Sequence, residues 1–567
     1  MAYFTRNRFS GIAPGVSPRL LAEQFGQIAE NVDLESGRLV AIKEDVEVYT
    51  LQNAQRRSIY YYRDAFWLEW DEEDVSVVPG PIPADTQERL YFTGDDYPRV
   101  GTASSLISGD SGYPINAYRL GVPAPSGEPG TAKSGTPDET ATPNDVSYVY
   151  TFVTALGEEG PPSNPSALIE LTDTETVDLS LPTSHQPSGN YHFGSGALKR
   201  IYRSNTGSTN TQFQFVGEVP YSATTFTDTT KAANLGEVLP SDTWIGPPDD
   251  DTSLYPDGPL QGLIPLSQGV MAGFTGKRFC LSEPFLPHAW PITYRITTED
   301  NIVAIASTAN GVAALTDGQP YFITGTDPSA MTAIRIDLAQ ACVNKRSVVD
   351  MGDYVLYAGP DGLCAVQSAS GRVVTAGLIS VEQWNTMFSP TTLRAFRHEG
   401  TYVAFHASGG WVYDPRGQEN ALTTLSLDAE VRGAYRNPKD GELYIIVGDK
   451  IKKYRGGSES KKAIFKSKTF TTTQPLSMGW VSVHANAYPV VVKVYADGTL
   501  IAHYTISQSG DTYTQAVTVP DGISESTLSA PVMRMPAVVA QAWEVQVEGT
   551  DINEFCLAQS VEELRAT

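Results

Sequence analysis

Acidic side chains are the most plentiful candidates for chemistry in this sequence, with 65 Asp and Glu against 40 Lys and Arg. Pairs of carboxylates hydrolyse glycosides, one as general acid and the other as base or nucleophile. With so many acids a pair can always be found, so abundance does not identify one. The run Asp249-Asp250-Asp251 could attract Ca²⁺. It lacks the alternating ligands of a calcium loop, which favours a solvated linker.

Histidine and cysteine offer little more. The seven histidines are scattered, and His398 and His406 are the pair that could meet, across one predicted hairpin. No Asp, Glu or Cys constellation accompanies them, so packing at a strand edge is favoured over a metal site. The cysteines lie far apart inside apolar strand patterns, and we expect small buried side chains in a reducing cytosol. They are Cys280, Cys342, Cys364 and Cys556.

The motifs of several common enzyme classes are missing from the sequence. We find no sialidase box (Ser-x-Asp-x-Gly-x-Thr-Trp), no Gly-x-Ser-x-Gly elbow, no His-Glu-x-x-His and no phosphate-binding loop of the Walker type. We therefore predict that the protein is not an enzyme. We assign no catalytic, cofactor-binding or metal-binding residue, and no cofactor.

The strands that would position any site follow one recurring pattern between about residues 262 and 454. A short apolar strand meets a Gly or Asp-Gly turn, and a second apolar strand follows, as in β-hairpins. Repeats of about 40–45 residues with four short strands are typical of propeller blades. An ordinary antiparallel sheet of hairpins is the alternative. The turn glycines are Gly276, Gly318, Gly362, Gly410 and Gly448.

The region before the repeats has two parts. Residues 1–57 form an N-terminal segment, in which apolar spacing predicts a short helix over Leu20–Glu30. Gly37 then marks the turn of a predicted hairpin. Residues 58–123 repeat the strand pattern and are predicted to be a first blade region.

Two further β regions surround the main repeats. Residues 124–245 begin with a linker rich in Pro, Ser, Gly and Thr, and continue as short strands that predict an inserted sandwich resembling a fibronectin type III module. Residues 246–457 hold the remaining blades, and residues 458–567 are predicted to form a C-terminal β-sandwich. The predicted fold class is therefore all-β: a β-propeller with an inserted fibronectin III-like sandwich and a C-terminal β-sandwich.

The length of the chain bounds the number of domains, and its net charge narrows the possible functional classes. At 567 residues the chain should form two to four domains. A formal charge of −25 argues against coating DNA or RNA, which requires basic patches. An acidic lining would suit a conduit through which nucleic acid slides without sticking, although solubility alone would also explain the charge.

A basic patch near residue 465 interrupts this acidic pattern. We interpret it as a solvated strand edge that discourages further strand pairing. The alternative is a contact to acidic neighbours or to DNA. The N-terminus lacks the apolar run of a signal peptide, and no stretch reaches the ~20 apolar residues of a membrane span, so we expect synthesis in the cytoplasm without a membrane anchor. The patch consists of Lys461, Lys462, Lys466 and Lys468.

Three stretches together resemble tail proteins of short-tailed bacteriophages, most closely the tail nozzle family, also called tail tubular protein B. The first is Phe9–Pro18 with Gly26–Leu39, which is similar to the start of those proteins. The second is Tyr118–Pro125 leading into Tyr148–Ser163, which looks like their linker and inserted sandwich. The third is Arg278–Pro291, which looks like their most recognisable propeller segment.

This resemblance implies a structural virion protein, a homo-hexameric ring at the distal end of the tail. The ring would attach to the adaptor (tubular A-like) ring and contact tail fibres or spikes. Its channel would retain the genomic DNA and pass it during ejection, without sequence-specific binding. A receptor- or glycan-binding tail protein is the alternative, with aromatic residues such as Tyr357, Trp411 and Tyr444 stacking on sugars, although such residues usually pack in cores. A propeller glycosidase is the third possibility.

Overall fold

A computed structural model describes residues 3–108, 111–206, 211–416, 421–507, 513–519, 522–528 and 532–565. The chain divides into two compact units. Unit 1 contains Met1–Tyr61, Gly318–Pro320 and Ile336–Thr567, and unit 2 contains Tyr62–Asp317 and Tyr321–Arg335. Among the described residues, no helix is long and apolar enough to cross a membrane.

The first strands of the chain include the predicted hairpin, but they replace the helix that was predicted before it. Residues 18–25 form turns and Gly26–Glu30 is a strand, so the helix predicted over Leu20–Glu30 is wrong. Leu20 is 78% exposed, and pairing with a distant strand, rather than the local apolar spacing, decides the conformation of Gly26–Glu30. The hairpin around Gly37 is confirmed. The strands are β1 (Tyr3–Arg6), β2 (Gly26–Glu30), β3 (Val32–Asp33), β4 (Leu39–Ala41), β5 (Val46–Thr50) and β6 (Ser58–Tyr62).

Unit 2 begins with a four-stranded antiparallel sheet, β8–β11, followed by a β-sandwich. The sheets β12-β16-β19 and β14-β17-β18 of the sandwich enclose an aromatic and aliphatic core that includes Tyr148, Phe152 and Leu179. The elements are β7 (Phe66–Trp70), β8 (Ser76–Pro79), β9 (Leu90–Thr93), β10 (Arg99–Gly101), α1 (Ala103–Leu106), β11 (Tyr118–Arg119), β12 (Gly130–Gly135), β13 (Asn144–Val146), β14 (Tyr148–Val153), β15 (Ile169–Leu171), β16 (Glu175–Ser180), β17 (Leu198–Thr206), β18 (Thr211–Pro220) and β19 (Thr225–Asp228).

Two more antiparallel four-stranded sheets complete unit 2, each with its strands in chain order. Sequential four-stranded sheets of this kind are propeller blades. Their strands are β20 (Gln261–Pro265), β21 (Met271–Thr275), β22 (Arg278–Leu281), β23 (Ile296–Thr297), β24 (Ile302–Thr308), β25 (Gly311–Thr316), β26 (Tyr321–Thr324) and β27 (Thr332–Arg335).

Unit 1 continues the same pattern with the sheets β28–β31, β32–β35 and β36–β38. The five hairpins predicted from the turn glycines are all present across the two units. The elements are β28 (Val349–Asp350), β29 (Val355–Ala358), β30 (Leu363–Gln367), β31 (Ser370–Val373), α2 (Val381–Met387), β32 (Arg394–His398), β33 (Thr401–His406), β34 (Gly409–Asp414), β35 (Ala421–Leu425), β36 (Val431–Arg436), β37 (Leu443–Val447) and β38 (Lys450–Lys453).

The C-terminal region of unit 1 is a second sandwich around a large apolar core. The fold class is therefore all-β and of the β-propeller type, with an inserted and a C-terminal sandwich, and the prediction is confirmed. The elements are β39 (Ala463–Ser467), β40 (Phe470–Leu476), β41 (Trp480–Ala485), β42 (Val490–Ala496), β43 (Thr499–Ile506), β44 (Tyr513–Val519), β45 (Gly522–Leu528), β46 (Val532–Arg534), β47 (Ala540–Gly549), β48 (Asp551–Ala558) and α3 (Val561–Arg565).

The N-terminal strands complete sheets that are otherwise built from the end of the chain. β5 pairs with β38 and supplies the fourth strand of the last blade, with Thr50 opposite Lys450. β2 lies between β35 and β39, and so joins a blade to the C-terminal sandwich in one sheet. β1 and β4 both pair with β48. The first 50 residues therefore close unit 1 by contacts between positions about 400 or more residues apart.

A glycine in the last blade gives a sharp test of this packing. A Cβ atom at Gly433 would collide with the backbone carbonyl oxygen of Arg57, whereas Gly448 in the same sheet has open space and a φ of +63°. We expect Gly433→Ala to lower the free energy of unfolding by about 2 kcal/mol, because backbone cannot yield without disturbing the sheet. The matched Gly448→Ala should cost only about 1 kcal/mol of left-handed strain. Urea unfolding of both variants checks this, and a larger loss for Gly448→Ala would contradict it.

Candidate interaction site at the base of the inserted sandwich

The two histidines singled out in the sequence do not meet. His398 ends β32 and pairs with Thr401, whereas His406 ends β33 and pairs with Gly409. The His398 ring lies edge-on to Tyr454, with 5.1 Å between ring centroids. Burial lowers the pKa of His398 to about 4, so its imidazole is neutral at physiological pH. Within the described part of the chain, no group of three or more His, Cys, Asp or Glu side chains could hold a metal ion.

The cysteines and the blade aromatics lie in cores. All four cysteines are buried, and no two of them form a disulfide. Burial raises the pKa of the Cys280 thiol to about 11 and that of Cys364 to about 12, so neither forms a thiolate nucleophile near neutral pH. Tyr357 and Trp411 are also fully buried, which removes them as sugar-stacking residues. Core packing is thus the role of these side chains.

Three of the four patch lysines are paired with acidic side chains of their own unit. Lys466 lies 2.7 Å from Glu544 and stands over the ring of Tyr495. Lys462 and Lys493 both contact Glu548, and these lysines hold the pKa of that carboxyl below its ordinary value, although burial opposes them. The patch therefore makes the contact to acidic neighbours that the sequence left open, inside the chain itself.

The acidic run Asp249–Asp251 also has an internal partner. Arg119 of β11 binds Asp250 through two hydrogen bonds of 2.8 Å, the bidentate geometry of a strong ion pair. Its guanidinium also stacks on Tyr97, 3.7 Å from the ring centroid. Asp251 accepts hydrogen bonds from Ser253. The ion pair between Arg119 and Asp250 therefore links the segment that enters the inserted sandwich to the segment that leaves it. The Arg119 guanidinium already occupies the position beside Asp250 where a metal cation would have to bind.

A second, buried ion cluster holds the other side of this junction. Arg89, next to β9, donates to Asp85 at 2.7 Å and to Glu158 at 3.2 Å. Glu158 lies in the hairpin turn after β14, so the pair joins the first blade of unit 2 to the sandwich. The side chains of Arg89 and Glu158 are 9% and 7% exposed. Burial raises the pKa of the Glu158 carboxyl, and the Arg89 charge opposes that rise.

Aromatic and histidine side chains also pack at this junction, with His192 near Glu158 and His288 near Arg89. The Tyr118 and His192 rings lie 4.2 Å apart. His288 is 3% exposed and edge-on to Trp244, and burial lowers its pKa to about 4. Trp290 donates its backbone N–H to the Ile245 carbonyl oxygen at 2.7 Å. The resembling stretches Tyr118–Pro125 and Arg278–Pro291 thus supply residues to the same junction.

An apolar cleft, the base cleft, opens beside this junction, with a volume of about 420 Å³. Its walls include Val122, Pro161, Ile245 and the exposed Leu254 and Ile292. Apolar walls of this kind suit the side chains of another protein. We therefore interpret the junction as a rigid structural joint bordered by an interaction surface.

Sequence reasoning missed Arg89 and Glu158 as partners. The turn Gly157–Gly160 was visible as a turn, and its two consecutive glutamates beside an apolar strand were a usable signal. Because 69 residues separate Arg89 from Glu158, no local pattern pairs them.

Comparisons with known proteins leave the family open. No family model and no curated protein matches this chain. Similar solved structures include BBS1N in a crystal structure with ARL6DN, with 9% identity, a TM-score of 0.30, and coverage of 74% of this chain and 99% of that chain. Another is a chain of the Mitotic Checkpoint Complex, with 8% identity, a TM-score of 0.23, and coverage of 54% and 87%. At these TM-scores neither structure bears on the function of this chain.

Proposed function

We propose that this protein is a structural virion component, the subunit of a hexameric tail nozzle of a short-tailed bacteriophage. The ring would retain the genome at the distal end of the tail and pass it during ejection. The observation that carries the proposal is the junction in unit 2, where buried ion pairs fix an inserted sandwich to a blade. Such a joint suits a stiff wall segment that must keep its shape under load.

The charge distribution supports the same role. The chain carries a net charge of −25, and the lysine-rich segment Lys461–Lys468 is largely paired with Glu544, Glu548 and Asp45. A surface of this kind repels the phosphate backbone, so DNA would move through a ring of such subunits without being held. The proposal makes the adaptor ring and the tail fibres or spikes the expected partners.

The mass of the purified protein, alone and mixed with the adaptor ring of its own virion, tests this function. We expect a six-fold assembly in the mixture and a hollow ring in averaged electron micrographs. A monomer or trimer that ignores the adaptor and adsorbs to host cells would contradict the nozzle and favour a receptor-binding protein. Depolymerisation of host capsule by the purified protein would favour a glycosidase instead.

A further inference from the structure

A second cleft, the sheet cleft, lies in unit 1 against the sheet β28–β31 and has a volume of about 610 Å³. Its lining is largely polar. One wall comes from the blade sheet through Tyr354, Gln367 and Arg372, and the facing wall comes from Tyr413 of β34 and Pro415. Two neighbouring blades therefore contribute to one site.

The strand register explains why these polar side chains converge. Leu356 pairs with Ala365, and Ala365 pairs with Arg372, so these residues form one row across the sheet. Because side chains alternate along a strand, Tyr354 and Gln367 lie on the same face, one row further along. The short β30–β31 turn is fixed by a hydrogen bond from the Ser370 hydroxyl to the Gln367 carbonyl oxygen.

Four polar side chains of the sheet cleft have no hydrogen-bond or ion-pair partner in the described part of the protein. Among the described residues, the side chains of Tyr354, Gln367, Arg372 and Tyr413 form no hydrogen bond or ion pair with one another or with other groups. A neighbouring carboxylate, Asp414, is already bound by Arg416 at 2.9 and 2.8 Å.

The tyrosine hydroxyls are hydrogen-bond donors at any physiological pH. Burial raises the pKa of Tyr413 to about 12 and raises that of Tyr354 above its ordinary value. Both phenols therefore stay protonated. Tyr413 is only 2% exposed, so its ring is buried and it adds no aromatic face to the lining. The cleft thus offers a ligand the half-buried ring of Tyr354, together with an amide, a guanidinium and the tyrosine hydroxyls.

We propose that the sheet cleft binds an acidic saccharide. The half-buried Tyr354 ring offers an apolar face for the C–H surface of a sugar ring, and the tyrosine hydroxyls and the Gln367 amide match sugar hydroxyl groups. Arg372 would pair with the carboxylate of a uronic acid in the bidentate geometry that guanidinium groups favour.

A nucleic acid fits this cleft less well. Strand-binding grooves follow several successive phosphates with a row of cations. Here the charges of Arg372 and Arg397 near Tyr354 are offset by Asp353 and Asp414. The cleft therefore offers one guanidinium, that of Arg372, among charges that nearly cancel. This arrangement suits a ligand with one carboxylate per sugar ring better than it suits a polyphosphate. The inference stands on unit 1 alone and goes beyond the nozzle role.

Calorimetric titration of the full chain with tetragalacturonate, and with neutral maltotetraose, tests the site. We expect the acidic tetrasaccharide to bind more tightly. Arg372→Gln should weaken its binding about tenfold or more, and Tyr413→Phe, which removes one hydroxyl, should weaken it about fivefold. The matched control is Arg534→Gln, which removes the same charge from an exposed position in the same unit and should leave binding unchanged. Circular dichroism of each variant confirms that it is folded.

Three outcomes would overturn the proposal. One is no detectable binding of tetragalacturonate at millimolar concentration. Another is an equal loss of affinity in Arg534→Gln, which would show that net charge alone drives binding. The third is tighter binding of a thymidine tetranucleotide at the same site, which would make the cleft a nucleic-acid contact. Each result is independent of whether the protein forms a ring.

Discussion

Replacing Arg89 by leucine is expected to lower the free energy of unfolding of unit 2 by about 3–5 kcal/mol. The reason is that Glu158, 7% exposed, would keep a buried carboxyl without its cation, and Asp85 would lose its 2.7 Å partner as well. Breaking one side of a buried ion pair typically costs this much, because the remaining charge stays desolvated. Urea unfolding followed by tyrosine and tryptophan fluorescence measures the loss.

Two further variants make this result specific. Arg335→Leu breaks an exposed pair with Glu299, whose side chains are 53% and 71% exposed, and should change stability by about 0–1 kcal/mol. The double variant Arg89→Leu/Glu158→Leu removes both buried charges and should be more stable than Arg89→Leu alone. An unchanged Arg89→Leu, or a double variant whose loss is the sum of the single losses, would show that the pair does not hold the junction.

Acid is expected to destabilise both units through two buried histidines, before the carboxyls with lowered pKa values titrate. Burial lowers the pKa of His288 in unit 2 and of His398 in unit 1 from 6.5 to about 4. The unfolded chain therefore takes up these protons below pH 6.5, whereas the folded chain resists them until about pH 4. Stability is complete above the unfolded value and falls with pH through this window, by about 3 kcal/mol for each histidine.

The loss of stability caused by protonating the histidines can be separated from the loss caused by protonating the paired carboxylates. A carboxyl with a lowered pKa, such as Glu548, reduces stability only as the pH falls below its ordinary value of 4.5. Urea unfolding between these two limits, with each histidine variant compared with the original protein, therefore measures the contribution of that histidine. We expect His288→Gln and His398→Gln each to flatten the pH dependence, in unit 2 and unit 1 respectively. A variant that loses stability on acidification as steeply as the original protein would disprove the assignment for that histidine.

The local features of the fold were readable from the sequence because hairpins are local structures. Turn glycines and alternating apolar strands located five hairpins, and Gly448 has the positive φ that such a turn requires. The hairpin at Gly37 was predicted for the same reason. The helix over Leu20–Glu30 failed because a weak apolar period was outweighed by pairing of β2 with β39, more than 400 residues away.

The functional features were harder to predict because they join distant positions. The sequence predicts a solvated strand edge for the lysines near residue 465, whereas the structure places Glu544 and Glu548 beside them. The aromatic residues named for sugar stacking, Tyr357 and Trp411, are buried, whereas the half-buried Tyr354 lines the sheet cleft. Sequence alternation does not say which face of a blade meets its neighbour.

The sequence by itself determined the all-β class, the hairpin repeat, the two sandwiches and the strongly acidic charge. Each of these depends on residue composition or on spacing within a few tens of residues, where turn chemistry and strand alternation act. Only the tertiary structure decided that β5 completes the last blade, that Arg89 meets Glu158, and that Arg119 occupies the acidic run. These pairings join residues far apart in the chain. The stability of the ion pairs among them depends on how deeply their charges are buried, which no local sequence pattern encodes.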